Sequence, residues 1–199
     1  MIQTTHVRKG SGALAITLRA NDPSPAISAG DSERDELQEV DRLNTKEGET
    51  NEYRFSMLVP PDFPIVDRRL VIAQWKQATH RNEVKVDNPV IALRYIKGEL
   101  FATVQDGYER RIIGRWKADI RDRWLDFVVR IRHSRTDGIV RIDVNGEKLA
   151  DYTGPTAYAE SLGYPAKATF YFKMGLYRDD MERPMTIYID EYSKTLIRE

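Results

Sequence analysis

The stretch FYFKMGLYRDD, residues 170–180, alternates apolar and polar side chains with a period of two. Successive side chains of a β-strand point to opposite faces, so the pattern predicts a strand with one face on a core. The apolar face consists of Phe170, Phe172, Met174 and Leu176. The opposite face consists of Tyr171, Lys173, Gly175 and Tyr177. Two phenols, an amine and a gap make this second face a candidate binding surface.

Segments of the same kind recur along the 199-residue chain and predict an all-β protein. They are ALAITLRA, EYRFSMLV, RLVIAQWK, VIALRYI, ELFATVQ, WLDFVVRIRHS, IVRIDVNGEKLADY, ATFYFKMGLY and MTIYIDEY. The pair Asn145-Gly146 predicts a tight hairpin, because it accepts the positive φ angles of a type I′ turn. Many strands at even spacing favour an antiparallel sandwich or jelly roll, in one domain over residues 1–199.

Helix is scarce in this reading. The segment ERDELQEVDRL (33–43) fits a helix by propensity, and it fits a strand equally well. Three further segments are candidates for short helical turns: PIVDRR, WKADIRD and AYAESL. No internal repeat or low-complexity tract interrupts the pattern.

Composition narrows the class of protein. The chain has no cysteine, which excludes disulfides, thiolate metal sites and a cysteine nucleophile. Its 31 basic and 31 acidic side chains cancel, so global charge points to neither nucleic acid nor a membrane surface. No stretch approaches the roughly 20 apolar residues of a membrane span. We expect a monomer that binds neither nucleic acid nor membrane, and a secreted or periplasmic location with the signal peptide outside this chain.

The charges are unevenly distributed along the chain. Residues 31–52 hold nine acids against three bases, whereas residues 109–141 hold ten bases against five acids. One interpretation is a pair of solvated surfaces of opposite sign. The other is a basic groove wall that binds a polyanion.

Three segments place unusual polar sets on a single strand face. Arg34, Glu36 and Gln38 alternate in the first, Gln74 and Lys76 in the second, and the third is the polar face of 170–180. The outer faces of neighbouring strands in a sandwich form one curved surface. A trough of Arg, Gln, Lys and Tyr suits an extended anion, since Arg binds carboxylate with two parallel hydrogen bonds.

These motifs resemble those of a known group of enzymes. YFKMGLY closely resembles the Y-F-K-A-G-x-Y strand of alginate-lyase-like jelly-roll polysaccharide lyases, and RDEL resembles their R-x-E-L segment. The order of WLDFVVRIRHS, GIVRIDVNG, YFKMGLYR and YIDEY is similar to the heparin-lyase-I and glucuronan-lyase type. The resemblance covers about residues 30–192. It implies a concanavalin-like β-jelly roll of two antiparallel sheets with few short helices.

The resemblance also implies an activity and a set of site residues. The reaction is cleavage of a uronic-acid-containing polysaccharide by β-elimination, with a glucuronan-like polymer expected first and alginate or a glycosaminoglycan second. The implied catalytic residues are Tyr177 as acid and candidate base, Lys76, and the carboxylate-binding pair Gln74 and Arg34. The implied substrate-binding residues are Lys173, Tyr171, Glu36 (which orients Arg34), Gln38, His80 and Arg94.

The chain departs from the family pattern at two positions. Lys76 stands where the family carries a catalytic or neutralising His in Q-x-H, and Gln38 stands at the second arginine of R-x-E-L-R. Lys76 therefore either neutralises the substrate carboxylate or acts as an unusual base, and His80 is a possible substitute. Two functions stay open at this point: an active lyase with altered base chemistry, or a noncatalytic carbohydrate-binding protein of the same fold.

Two other possibilities rank lower. A glycoside hydrolase needs a pair of carboxylates flanking the bond, and Glu36 has no obvious partner. The implied chemistry requires no cofactor. A structural Ca²⁺ held by Asp190 and Glu191 is possible, although an exposed acidic strand end explains these residues more simply.

Overall fold

The computed structural model describes residues 1–22, 32–79 and 84–198, and its regular structure there is almost entirely β. The strands are β1 (Ile2–Gln3), β2 (Ala13–Leu18), β3 (Ser32–Gln38), β4 (Thr45–Lys46), β5 (Thr50–Val59), β6 (Leu70–Gln77), β7 (Ile91–Ile96), β8 (Glu99–Gln105), β9 (Arg110–Trp116), β10 (Arg123–Arg132), β11 (Ile139–Val144), β12 (Glu147–Thr153), β13 (Thr169–Asp179) and β14 (Met185–Ile197). Helical structure in the described residues is limited to two 3₁₀ turns, Asp41–Leu43 and Glu160–Leu162. None of the described helices is long and apolar enough to cross a membrane.

The strands form two antiparallel sheets. The first has the order β1-β2-β14-β5-β10-β11-β12, and the second, which we call the cleft sheet, has the order β3-β13-β6-β7-β8-β9 with β4 beside β13. The prediction of an all-β jelly roll with two antiparallel sheets is therefore confirmed. The Asn145-Gly146 hairpin is confirmed as well, with positive φ at both residues between β11 and β12.

The two sheets pack face to face on a core of aliphatic and aromatic side chains. Phe172 of β13 contacts the indole of Trp75, with ring centroids 4.7 Å apart, and also the ring of Phe55. Phe55 in turn stacks on Phe127 at 4.8 Å. Because the apolar residues of β13 enter this core, its alternate residues must face outward from the cleft sheet.

The structure decides between the open helix and strand assignments and adds a strand that the sequence pattern did not predict. The ambiguous segment 33–43 is a strand followed by a 3₁₀ turn, and PIVDRR and WKADIRD form no helix. AYAESL does contain a 3₁₀ turn. Strand β9, RRIIGRW, was not predicted from the sequence, because it is largely exposed and carries charge on both faces, so its apolar and polar residues do not alternate.

The register of the cleft sheet aligns the polar residues in rows. One row crosses four strands and consists of Arg34, Tyr177, Val71 and Arg94. A second consists of Gln38, Lys173, Gln74 and Ala92. The rows lie four residues apart along β3, which is about 13 Å, and each spans about 14 Å across the sheet.

A bulge in β13 between Met174 and Tyr177 brings the two rows into this relation. Gly175 lies within it with φ 149°, opposite Glu36 of β3. A Cβ atom at this position would collide with the carbonyl oxygen of Asp35 and lie 2.7 Å from the Cα of Glu36. The absence of a side chain at Gly175 thus permits the close approach of β3.

Candidate active site

The outward face of the cleft sheet carries an open cleft with a volume of about 990 Å³. Eight of the ten predicted site residues line it: Arg34, Gln38, Gln74, Lys76, Arg94, Tyr171, Lys173 and Tyr177. Glu36 lies beneath them and bonds to two of them. His80 lies outside the described residues. Side chains that are up to 143 positions apart in sequence, Arg34 and Tyr177, therefore share one surface.

Glu36 holds the two residues implied to bind the substrate carboxylate. Its side chain is only 2% exposed; one oxygen accepts a hydrogen bond from the amide of Gln74, and the other lies 3.2 Å from Nε of Arg34. The NH₂ group of Gln74 is the donor in this bond, and the Glu36 oxygen accepts. The contact between Glu36 and Arg34 is consistent with the expected orienting role of Glu36. The hydrogen bond from Gln74 to Glu36 was not expected from the sequence.

Tyr177 lies between two guanidinium groups. The centroid of its ring is 4.1 Å from Cζ of Arg34 and 4.5 Å from Cζ of Arg69, and Nη1 of Arg69 donates a hydrogen bond of 3.1 Å to the Tyr177 hydroxyl. Burial by itself would raise the pKa of Tyr177, but the hydrogen bond and charge of Arg69, with the charge of Arg34, lower it below its usual value. The phenol is thus prepared to exchange a proton.

Arg69 is fixed by an acidic partner on β13. The Asp179 carboxylate accepts hydrogen bonds from the backbone nitrogen of Arg69 at 3.0 Å and from its Nε at 2.8 Å. A guanidinium held at both its backbone and its side chain is positioned before a ligand arrives. Sequence reasoning missed Arg69, because it lies at the end of PIVDRR, a segment that fits a helical turn.

Lys76 already has a partner in the cleft. Its Nζ donates a hydrogen bond of 2.8 Å to Asp87, whose side chain is 59% exposed on the loop before β7. Lys76 and its acidic partner both line the cleft. Asp87 is a second residue that the sequence did not single out, since it belongs to an unremarkable turn segment, VDNP.

Lys173 and Tyr171 follow each other along the outward face of β13. Nζ of Lys173 lies 5.7 Å from the centroid of the Tyr171 ring. Burial lowers the pKa of Lys173 first, the nearby Glu36 acts in the opposite sense, and the charges of Arg34 and Lys76 lower it further. The cleft is therefore crowded with cations.

Arg94 is the most buried cation of the cleft, with 3% of the residue exposed. Its Nε donates a hydrogen bond of 3.2 Å to the hydroxyl of Thr103, and no carboxylate of the described residues lies within ion-pair distance. Burial, followed by the charges of Arg110 and Arg69, lowers the pKa of Arg94 to about 9. It remains mostly protonated at neutral pH.

The basic stretch 109–141 is mostly a solvated surface. Seven of its nine arginines pair with carboxylates, namely Arg111, Arg115, Arg121, Arg130, Arg132, Arg135 and Arg141. Arg110 is the member that lines the cleft. The groove-wall interpretation therefore applies to this residue alone among those arginines.

The two described histidines lie away from the cleft. The ring of His133 is fully buried and stacks on Phe170 at 3.8 Å, and burial lowers its pKa to about 3. His6 packs on Tyr188 of β14, in the other sheet. The described residues that line the cleft therefore include no histidine.

The candidate calcium residues are engaged in holding the N-terminal segment. The Asp190 carboxylate accepts hydrogen bonds from the backbone nitrogens of Arg8, Lys9 and Glu191, and Glu191 lies 3.4 Å from the ammonium of Lys9. The described residues contain no cluster of three or more His, Cys, Asp or Glu side chains suited to a metal.

The chain thus combines a two-sheet jelly roll with a cationic cleft in which a tyrosine is paired with an arginine. The family model described as "Polysaccharide lyase" matches residues 1–193, so the chain belongs to that family of enzymes. No curated protein matches the sequence significantly.

Solved structures of lyases are similar in fold. An endo-β-1,4-glucuronan lyase from the fungus Trichoderma reesei is 17% identical, with a TM-score of 0.76 over 98% of this chain and 85% of that one. Alginate lyase A1-II', a member of polysaccharide lyase family 7, is 14% identical, with a TM-score of 0.67 over 98% and 82%. Alginate lyase AlgAT5, also of family 7, is 17% identical, with a TM-score of 0.64 over 97% and 82%.

Proposed function

We propose that this enzyme cleaves a uronic-acid-containing polysaccharide by β-elimination, with Tyr177 as the proton-transferring residue. The observation that carries the proposal is the Tyr177 hydroxyl, which accepts a hydrogen bond from Arg69 while the ring lies between two guanidiniums. A tyrosine with a lowered pKa exchanges protons more readily near neutral pH than an unperturbed one, whose pKa is about 10.

Arg34 and Gln74 bind the uronate carboxylate in this proposal. Both are tied to the buried Glu36, so their positions are set before the substrate enters. Neutralising the carboxylate makes the adjacent C5 proton more acidic, because the negative charge that develops on proton removal spreads onto it. Lys173 lies in the same row as Gln74 and adds positive charge.

Proton transfer then follows in two steps. The Tyr177 phenolate takes the proton from C5, and the electron pair left at C5 forms the C4=C5 double bond as the C4–O4 bond breaks. The departing O4 takes the proton back from the Tyr177 hydroxyl. The net change moves one proton from C5 to O4 and leaves an unsaturated uronate at the new chain end.

Lys76 acts as a neutralising residue in this scheme. Its ammonium donates a hydrogen bond to Asp87, which also lines the cleft. A contact of this kind is unsuited to a general base, which needs a free electron pair at its nitrogen.

The polymer is proposed by class. A glucuronan-like polyuronate is the first candidate and alginate the second, supported by fold likeness to a glucuronan lyase and to alginate lyases. We further propose that the enzyme acts on its polymer as a monomer outside the cytoplasm. Every chemical step is assigned to side chains, and calcium would at most stabilise the segment held by Asp190.

A panel of glucuronan, alginate and glycosaminoglycans tests the proposal. The unsaturated product carries a double bond conjugated to a carboxylate, which absorbs ultraviolet light, whereas hydrolysis and binding create no such group. We expect absorbance to grow on at least one polymer, and EDTA to leave that rate unchanged. Polymer binding without any absorbing product would reject the lyase chemistry in favour of a carbohydrate-binding protein.

A further inference from the structure

We propose that Arg94 and Arg110 form a second oxyanion subsite in the cleft, which takes a charged group on a sugar next to the uronate that is cleaved. This inference rests on the proposed function, since it concerns the same polymer. It adds a requirement on that polymer: two neighbouring anionic groups, either consecutive uronate carboxylates or a carboxylate followed by a sulfate ester.

The first observation is the buried charge of Arg94. A guanidinium with 3% exposure is costly without a countercharge, yet no described carboxylate lies within ion-pair distance. Its hydrogen-bond partner, the Thr103 hydroxyl, donates in turn to the carbonyl oxygen of Ala92 at 3.4 Å. Thr103 thus fixes the Nε side of the guanidinium, and the side chain lines the cleft.

The second observation is where Arg94 lies relative to the proposed chemistry. It shares a row with Tyr177, two strands away across Val71, so the two backbones are about 10 Å apart. Arg34 lies on the opposite side of Tyr177, at β3, and Gln74 lies in the other row of the sheet, opposite Lys173 and Ala92. The Arg94 guanidinium is therefore separate from the groups assigned to the cleaved sugar.

Arg110 supplies the second cation of this subsite. It is exposed at the start of β9, lines the same cleft, and has no ion-pair partner among the described residues, unlike seven other arginines of its basic stretch. Arg94 and Arg110 lie on the two strands that flank β8, and both line the cleft. Besides burial, the charge of Arg110 also lowers the pKa of Arg94. An oxyanion bound between the two guanidiniums would offset their repulsion and pair with both.

Binding of defined oligosaccharides by calorimetry tests the subsite without requiring turnover. The three ligands are an oligomer with a carboxylate on every sugar, one that alternates uronate with a neutral sugar, and one that alternates uronate with a sulfated sugar. We expect Arg110→Gln and Arg94→Gln to weaken binding of either the all-carboxylate oligomer (the first ligand) or the sulfated one (the third) by about tenfold. Binding of the oligomer with neutral sugars (the second ligand) should weaken by less than about twofold. Loss on the first ligand identifies the anion as carboxylate, and loss on the third identifies it as sulfate.

Arg115→Gln is the matched control, because Arg115 is an exposed arginine of the same strand that pairs with Glu99 and does not line the cleft. Arg94→Lys, which keeps the charge, should retain part of the affinity if the buried position tolerates substitution. Unchanged binding of all three ligands by folded Arg110→Gln overturns the subsite, and so does an equal loss on the neutral alternating ligand. Absence of product with intact, arginine-dependent binding would instead overturn the lyase chemistry and leave the subsite standing.

Discussion

Tyr177 lies where the proposed chemistry is concentrated, and its hydroxyl is the atom to remove first. Tyr177→Phe leaves the ring between Arg34 and Arg69 but abolishes proton transfer. We expect kcat to fall by about 10² to 10⁴, as is typical for loss of a general acid or base, while KM changes little. Product absorbance under saturating polymer gives kcat directly, and turnover near that of the wild type would reject Tyr177.

Arg69 is a positioning residue for that hydroxyl, and the pH dependence of the rate shows the direction in which it shifts the pKa of Tyr177. If the Tyr177 phenolate is the base, the rate rises with pH through the pKa of Tyr177, which Arg69 lowers. Arg69→Gln removes the hydrogen bond and the charge, so the pKa rises and the ascending limb of the pH–rate profile moves to higher pH.

The neighbouring Arg68→Gln is the control for this shift, because Arg68 is exposed and does not line the cleft. A purely structural role of Arg69 would lower the rate equally at all pH values. An unmoved limb in Arg69→Gln would therefore contradict the assignment.

Lys76 is the residue at which the chain leaves its family's pattern. If Lys76 neutralises the carboxylate, Lys76→Arg keeps part of kcat/KM and Lys76→Ala keeps very little, since only the first retains the charge. If Lys76 is the base, both variants are inactive at neutral pH, because arginine does not give up its proton. The contact with Asp87 supports the first outcome. Lys76→His should be active in either case, and full activity of Lys76→Ala would exclude both roles.

At the scale of the element, the decisive feature is the pairing of β13 with β3. The bulge between Met174 and Tyr177, with Gly175 inside it, lets β3 approach closely enough for Glu36 to reach Gln74 of β6. The proposed carboxylate-binding pair, Arg34 and Gln74, is therefore held by a strand that lies at the edge of the cleft sheet. Loss of this approach would separate Arg34 from Tyr177.

Gly175→Ala tests this pairing. The new Cβ collides with the Asp35 carbonyl, and a φ of 149° strains a residue with a side chain, so we expect a loss of roughly 1–3 kcal/mol in the free energy of unfolding. Denaturant unfolding measures the loss. Gly107→Ala is the control, because a Cβ there meets nothing within 4 Å. Equal stability of the two variants would show that β3 yields easily and that the glycine is dispensable.

At the scale of the whole molecule, the neutral chain carries a strongly cationic cleft. Six basic residues and two acidic ones line it, the bases being Arg34, Arg69, Lys76, Arg94, Arg110 and Lys173 and the acids Asp41 and Asp87. The compensating acids lie on other surfaces, where they pair with arginines such as Arg130 and Arg141. Global net charge therefore says little about the ligand.

This distribution predicts a salt-dependent KM for an anionic polymer. Raising the ionic strength from about 0.01 M to about 1 M shortens the screening length from about 30 Å to about 3 Å. We expect KM to rise several-fold over this range while kcat stays nearly constant, because steering and binding weaken but the chemistry at Tyr177 does not. Initial rates at varied polymer concentration measure both, and a KM insensitive to salt would contradict a polyanionic substrate.

Local patterns in the sequence determined much of this protein. Period-two alternation fixes which residues of β13 enter the core and which face outward, because the geometry of a strand allows no other choice once one face is apolar. The same rule placed Gln74 and Lys76 on one face of β6 and Trp75 on the other. Motif resemblance then joined these faces into one site, and eight predicted residues do line one cleft.

Only the tertiary structure decided the rest, because those features depend on contacts between distant segments. Arg69 donates a hydrogen bond to the hydroxyl of Tyr177, which lies 108 residues away in the sequence. Glu36 accepts one from Gln74, which lies 38 residues away. Two further features are properties of packing that no spacing along the chain encodes. Arg94 has no carboxylate partner among the described residues, and Gly175 packs against the backbone of Asp35 and Glu36. Strand faces follow from local alternation, whereas charge balance and close approach follow from which strands become neighbours.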